Sequence, residues 1–170
     1  MVFVGTLAES VPPGWEALRA LPNVRHVSGV PAARVPEYVC GFDVGLMPYA
    51  PSEHAQAIDP LKLYDYLAGG KPVVSADLPA LEGYRHVVRV ASTPGAVVAA
   101  VEAALREQAP ELAAERRRLA AANSWEHRLE ALSSLIETQL SGASGSSRYN
   151  RSRRCAAARS GGDLGIPAEQ

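Results

Sequence analysis

Cysteine is nearly missing from this chain: Cys40 and Cys155 are the only two among 170 residues, and they stand far apart. Two such residues make no disulfide framework, and their spacing is not that of metal ligands. A reduced, cytoplasmic setting is the expectation. Long apolar runs are missing too, for nothing approaches the ~20 residues that a membrane-spanning helix needs. The opening MVFVGTLAES is apolar but has no basic lead and is too short for a signal sequence, so it reads as a strand. An excess of one charge is also lacking, with 17 basic against 18 acidic side chains. No overall field therefore selects nucleic acid or an acidic partner. His26, His86 and His127 have no ligand-like spacing, and no metal site is expected. Neither G-x-G-x-x-G nor G-x-x-x-x-G-K-[ST] occurs, which takes away the main support for nicotinamide or ATP-hydrolysing chemistry. No cofactor is expected.

What is present is a 47% hydrophobic chain of the ordinary globular class. A folded part of roughly 140 residues buries about two thirds of the surface that its unfolded chain exposes, enough for a core without staples. Short apolar runs alternate with amphipathic stretches, the pattern of βαβ units and a parallel sheet covered on both faces. Strands are expected at Val2 to Val4, Val24 to Val27, Asp43 to Met47, Pro72 to Ser75 and Val87 to Val90. Short helices are expected at Trp15 to Leu21, Pro36 to Cys40 and Leu61 to Ala68. Thr93-Pro94 is a cap followed by proline at the first helical position, leading into Val97, Val98, Val101, Ala104 and Leu105 at helical spacing. A polar helix from Pro110 to about Ala122 follows, with Arg116 to Arg118 on a wet face. Asn123 and Glu126 resemble a capping box, before a last helix whose Trp125, Leu129, Leu132, Ile136 and Leu140 are expected to pack along its length. From residue 141 to 170 the composition turns to Gly, Ser, Ala and Arg without period, and a disordered tail is expected.

The informative stretch runs from Phe42 to Pro79 as strand, long loop, helix, Gly-Gly turn and strand. Asp59 reads as an acidic cap and Pro60 as the first helical residue, which leaves free backbone amides beside the loop. Helix dipole and unpaired N–H groups favour a phosphate there, and Lys62 adds positive charge. Leu63, Tyr66 and Leu67 share the core face, while Lys62 and Asp65 lie three residues apart on another face. That second face can look into a cleft at the C-terminal edge of the sheet, where Asp65 would accept hydrogen bonds from a ribose diol. The residues alone leave a surface i, i+3 pair equally open. Gly69-Gly70 reads as a left-handed C-cap. His54, in the loop, either approaches donor phosphates or is simply solvated.

DPLKLYDYLAGGKPVV resembles the N/D-P-x-K-x-x-E-Y-L-A-x-G-K-P-V-V segment in the donor domain of GT-B glycosyltransferases, and in particular the large retaining family of bacterial sugar transferases, the group 1 glycosyl transferases. LPNVRHVSGVP, VPEYVCGFDVGLMPY and NSWEHRLEAL fall in the same order as in that family, so the resemblance covers residues 1 to 140. It implies a Rossmann-like, three-layer α/β/α parallel sheet that forms one half of a GT-B fold and grips the nucleotide diphosphate of an activated sugar, of UDP or GDP type. By the same resemblance Asp65 would contact the ribose. The helix start at Pro60, Leu61 and Lys62 would hold the diphosphate, and the turn at Gly29-Val30 would meet the base. Two departures are visible. The family's two glutamates, seven residues apart, are replaced by Ala57 and Asp65, and no catalytic residue is assigned. The opening strand of the donor domain and the whole acceptor domain, which precede this segment in the family, have no counterpart in the sequence.

The leading expectation is a donor domain that takes part in hexosyl transfer once paired with an acceptor-domain polypeptide. An inactive truncated remnant, or an interaction module with the same fold, is the second. Part of a nucleotide-sugar epimerase is the third, because that class shares the architecture.

Overall fold

The computed structural model describes residues 1–7, 11 and 13–146, with the side chains of 142–146 left undescribed. Five three-residue strands form in chain order: β1 (Val2–Val4), β2 (Arg25–Val27), β3 (Gly45–Met47), β4 (Val73–Ser75) and β5 (Val88–Val90). The helices are α1 (Trp15–Arg19), α2 (Val35–Cys40), α3 (Glu53–Ala57), α4 (Leu61–Ala68), α5 (Pro94–Leu105), α6 (Pro110–Ala122) and α7 (Trp125–Ser146). Two 3₁₀ turns lie at Ala32–Arg34 and Pro79–Tyr84. Every expected strand is present, shorter by one or two residues where it differs. Every strand pair is parallel. The architecture is α/β with helices interleaved between parallel strands.

One expectation needs correction, because the strands make two sheets: β1 pairs only with β2, and β3, β4 and β5 form a separate three-stranded ladder. Residues 1–123 nevertheless form a single compact unit. The three-stranded sheet holds the main core. Met47, Leu63, Leu67, Val73, Leu78, Leu81, Val87 and Val88 are buried together, each such aliphatic side chain contributing about 1.5–3 kcal/mol through area removed from water. The β1–β2 pair has a smaller aromatic nucleus, in which the Trp15 ring meets Phe3 and His26 edge-on with centroids 5.2 and 5.4 Å away.

Local chemistry explains the helix ends. α4 stops in a Schellman turn: the Lys71 N–H donates to Tyr66 O at 2.9 Å and the Gly70 N–H to Leu67 O at 2.8 Å, with Gly70 left-handed at φ +68°. The expected left-handed glycine is therefore the second of the pair. Thr93 caps α5, its hydroxyl oxygen accepting from the Ala96 N–H at 3.2 Å. Asn123 does not begin a capping box. Its side chain closes α6 by donating to Leu119 O at 2.9 Å, and Ser124 Oγ accepts from the His127 N–H at the start of α7.

α7 belongs to a second compact unit beginning at Ser124. It continues six residues past Leu140, to Ser146. Trp125, Leu129, Leu132, Ile136 and Leu140, the expected anchors, are exposed. The Gly/Ser/Arg-rich tail from residue 147 onward lies outside the described residues, as does Cys155. No helix is long and apolar enough to cross a membrane among the described residues.

The reading of Arg116 to Arg118 as a solvated face holds for Arg117 and Arg118 only. Arg116 is 2% exposed and donates from Nη1 to Glu107 Oε1 at 2.6 Å and from Nε to Val87 O at 3.2 Å. Arg89 Nη2 donates to the other Glu107 oxygen at 3.0 Å. Burial pushes the Glu107 pKa up, but the hydrogen bonds and charges of Arg116 and then Arg89 outweigh it, and the net shift is downward. A lowered carboxylate pKa stabilises the fold above the unfolded-state value, and that contribution disappears as pH falls through the folded-state value.

Two predictions concern this core. A Cβ at position 45 would lie 2.5 Å from the Tyr66 ring, so Gly45→Ala should cost about 1–3 kcal/mol in urea unfolding; an unchanged midpoint would show that the ring moves aside freely. Glu107→Gln should cost about 3–5 kcal/mol at pH 7 by leaving Arg116 buried and uncompensated. Its deficit against the wild type should narrow as pH drops below the ordinary carboxylate range, and a deficit that is constant from pH 7 to pH 3 would refute the ion-pair account.

Candidate functional site

The start of α4 is built differently from the sequence expectation. Pro60, not Asp59, occupies the cap position, and its ring is fully buried. Asp59 instead accepts a hydrogen bond from the Tyr64 hydroxyl at 3.1 Å. The reason is geometric, since a carboxylate one residue further from the first turn can reach a side chain five positions on. The Leu63 N–H is satisfied by Pro60 O at 2.9 Å. The N–H groups of Leu61 and Lys62 have no recorded hydrogen-bond partner among the described residues. Proline contributes no donor, so these two amides form the open end of the helix.

Lys62 is exposed, and its ammonium sits 5.4 Å from the centroid of the Tyr49 ring, a cation–π contact. Tyr49 follows β3 directly and also lines a cavity of about 310 Å³ with Gln56, Asp77, Leu78, Ser92 and Thr93. These residues come from the segments after β3, β4 and β5, so the cavity lies at the C-terminal edge of the sheet, where open α/β folds place their ligands. Lys62 is therefore held at the margin of that cavity through Tyr49. Asp77 is held by Arg85 at 2.7 Å. Tyr49, Asp77 and Ser92 were not singled out in the sequence, and Thr93 only as a helix cap, because only the sheet brings the ends of three separate strands together.

Asp65 lies one turn further along α4 and is exposed. Partial burial of its carboxyl raises its pKa. No ion pair joins it to Lys62 among the described residues, so the plain surface-pair alternative is not what the structure shows. His54 is not in a loop. It lies on α3, a helix capped by Ser52 through the Ala55 N–H at 3.1 Å, and it is exposed, while its neighbours Ala55 and Gln56 line the cavity. Gly29 adopts φ +67° at the turn after β2, followed by half-buried Val30. This turn belongs to the two-stranded sheet, whereas Pro60, Leu61, Lys62 and Asp65 are packed on the three-stranded one. The α4 residues and the Gly29-Val30 turn thus lie beside different sheets. No group of His, Cys, Asp and Glu suited to a metal ion occurs among the described residues.

A tyrosine pair flanks the same helix. Tyr84 donates to the Tyr64 hydroxyl at 3.4 Å, and the two rings meet edge-on at 6.1 Å. Burial, and then the bonds to Tyr84 and Asp59, push the Tyr64 hydroxyl far above its usual range. It stays neutral at any working pH and serves to fix the Asp59-Pro60 corner.

The Glycosyl transferase-like family matches residues 2–134, which takes in both sheets and every element of the site. The chain belongs to the glycosyl transferase-like family. It is 34% identical over 129 residues to TuaH of Bacillus subtilis (strain 168), which is named as a candidate teichuronic acid biosynthesis glycosyltransferase. That match takes in 73% of this chain and 32% of TuaH, so the chain spans about a third of the length of this relative. No solved structure matches the chain. Tyr49 is common to both features, for it meets Lys62 at the helix start and lines the cavity.

Asp65 provides a test separate from catalysis. A carboxyl whose pKa is raised by burial opposes folding above that pKa and has no effect below its unfolded-state value. Asp65→Asn should therefore leave the urea midpoint unchanged or slightly higher at pH 7 and unchanged at pH 3. A clear loss of stability at pH 7 would mean that the carboxylate holds the fold together.

Proposed function

We propose that this domain is the donor half of a GT-B glycosyltransferase and binds a nucleotide-diphosphate sugar, of UDP or GDP type, for hexosyl transfer to an acceptor carried by an acceptor-binding domain. One observation carries the reading: Lys62, at the start of a helix whose Leu61 and Lys62 amides have no recorded partner among the described residues, meets Tyr49, which lines a cavity at the C-terminal edge of a parallel sheet. Unpaired N–H groups, a helix dipole and a lysine together suit a diphosphate. Asp65, three residues on from Lys62, offers two acceptor oxygens to a ribose diol. Gly29 and Val30 would meet the base, and His54 would approach the phosphates from α3.

The chemistry asked of such a site is modest. It holds the donor in register with the acceptor and disperses the negative charge that builds on the departing diphosphate, as positioned donors in a partly dry cleft do. Ala57 stands where the family has its first glutamate, so the reading assigns no carboxylate on α3 to the sugar. An interaction module with the same fold is the second reading, favoured by the divided sheet, whose unpaired edges suit a partner chain.

Thermal unfolding with UDP, GDP, TDP, ADP and the matching nucleotide sugars separates the two. A ligand at ten times its dissociation constant adds about 1.4 kcal/mol, a shift of several degrees for a domain of this size. One nucleotide should shift the wild type, and Lys62→Ala and Asp65→Ala should each abolish or strongly reduce the shift. No shift with any of them in folded protein would favour the interaction module.

A further inference from the structure

We infer that a second cavity, at the open edge of β5 between α5 and α6, is a binding site for a phosphate group, free or carried as a monoester on a small molecule. Its volume is about 500 Å³, and its walls include Arg85, His86, Arg89, Glu107, Leu112 and Arg116. No residue lines both this cavity and the one at the C-terminal edge of the sheet. The inference and the donor-half reading can therefore fail separately.

The charges at this edge do not balance. Arg116 donates from Nη1 to Glu107, and Arg89 donates from Nη2 to the same carboxylate, whose side chain is 7% exposed. Two guanidiniums thus share one carboxylate, which leaves a positive charge unmatched in a cluster where burial makes such a charge costly. The neighbouring carboxylates are engaged: Asp77 and Glu82 both hold Arg85, and Glu115 holds Arg118 and lies 3.6 Å from His86. Arg85 is accordingly a wall of the site, and Arg89 and Arg116 are the groups that hold the anion.

Hydrogen-bond donors are in excess as well. Arg116 is 2% exposed yet lines the cavity; its Nε donates to Val87 O and its Nη1 to Glu107, and no partner is recorded for its Nη2 among the described residues. Arg89 engages only Nη2, and its Nε is buried without a partner among the described residues. Interior donors left without acceptors are costly, and an anion with several oxygens relieves that cost. The backbone adds two more. The Ala91 N–H donates to Ser75 O at 2.9 Å, so the odd residues of β5 face β4. Alternate residues of a parallel strand face opposite sides, which turns the Val88 and Val90 N–H groups to the open edge, and both residues line the cavity. A carboxylate brings two oxygens and one charge, whereas a phosphate brings at least three oxygens and up to two charges. It meets two guanidinium forks and two amides more fully. Ala100 and Leu112 on the wall leave room for a small organic group beyond the phosphate.

Titration with inorganic phosphate and with methyl phosphate at low, constant ionic strength, followed by NMR of backbone amides and arginine side chains, tests the site. Saturable shifts should appear at the Val88 and Val90 amides and at the Arg89 and Arg116 side chains, with a dissociation constant of about 1 mM or tighter. Lys62→Ala, which alters the other site, should leave that constant unchanged. Arg89→Gln should weaken binding by about tenfold or more, because Arg116 and Glu107 then match charge for charge. The Arg89 side chain is 39% exposed, so this variant should keep the fold. Arg89→Lys keeps the charge without the fork and should fall between the two. Tighter binding of methyl phosphate supports the site with a monoester as ligand, and tighter binding of inorganic phosphate supports it with the free ion. A response that never saturates, an equal response to chloride, or a constant that both Arg89 variants leave untouched overturns the inference. Saturable shifts confined to Leu61 and Lys62 overturn it too, because the phosphate would then sit at the start of α4 alone.

Discussion

The fold and its site depend on how closely α4 lies against the three-stranded sheet. Gly45 in β3 has no side chain where the Tyr66 ring passes, and an added Cβ there would sit 2.5 Å from that ring. Leu63 and Leu67 lie on the same helix, fully buried. With that face fixed, the opposite side of α4 can only look outward, which sets Lys62 and Asp65 toward solvent and brings the helix start alongside Tyr49 at the end of β3. The Schellman turn at Gly70 then returns the chain directly into β4. Contact between one glycine and one aromatic ring thereby governs both the core and the position of the helix end.

A second constraint is electrostatic. Glu107 receives two arginines, and Arg116 is buried with it. The pair links the end of α5 to α6 and, through Arg116 and Val87 O, to the segment entering β5. Charges this deep hold their geometry only while each is matched. The result ties α6, which also packs against α4, to the segment that enters β5.

Much of this was readable along the chain. The strand positions, α4, α5 and α6, the Thr93 cap and the apolar face of α4 all follow from local periodicity and end signals, which depend on neighbours within a few residues. The errors share a cause. Arg116 looks like one of three solvated arginines until Glu107 and Val87 arrive from elsewhere. Asp59 looks like a cap because its competitor for hydrogen bonding, Tyr64, is told apart only by geometry. α3 was hidden in an apparent loop, since five residues between prolines are too few to show a period.

The sequence by itself determined that the chain alternates parallel strands with helices, that it carries the family's DPLKLYDYLAGGKPVV segment, and that Lys62 and Asp65 share a face of one helix. Only the tertiary structure decided that Lys62 stands over Tyr49, which lines a cavity, that Arg116 is inside and paired, and that the strands divide into two sheets. The physical reason is the range of the forces concerned. Helix periodicity, caps and turns are settled by bonds a few residues long, whereas strand order, charge burial and the meeting of strand ends are settled between segments that are distant in the chain and adjacent only after it has folded.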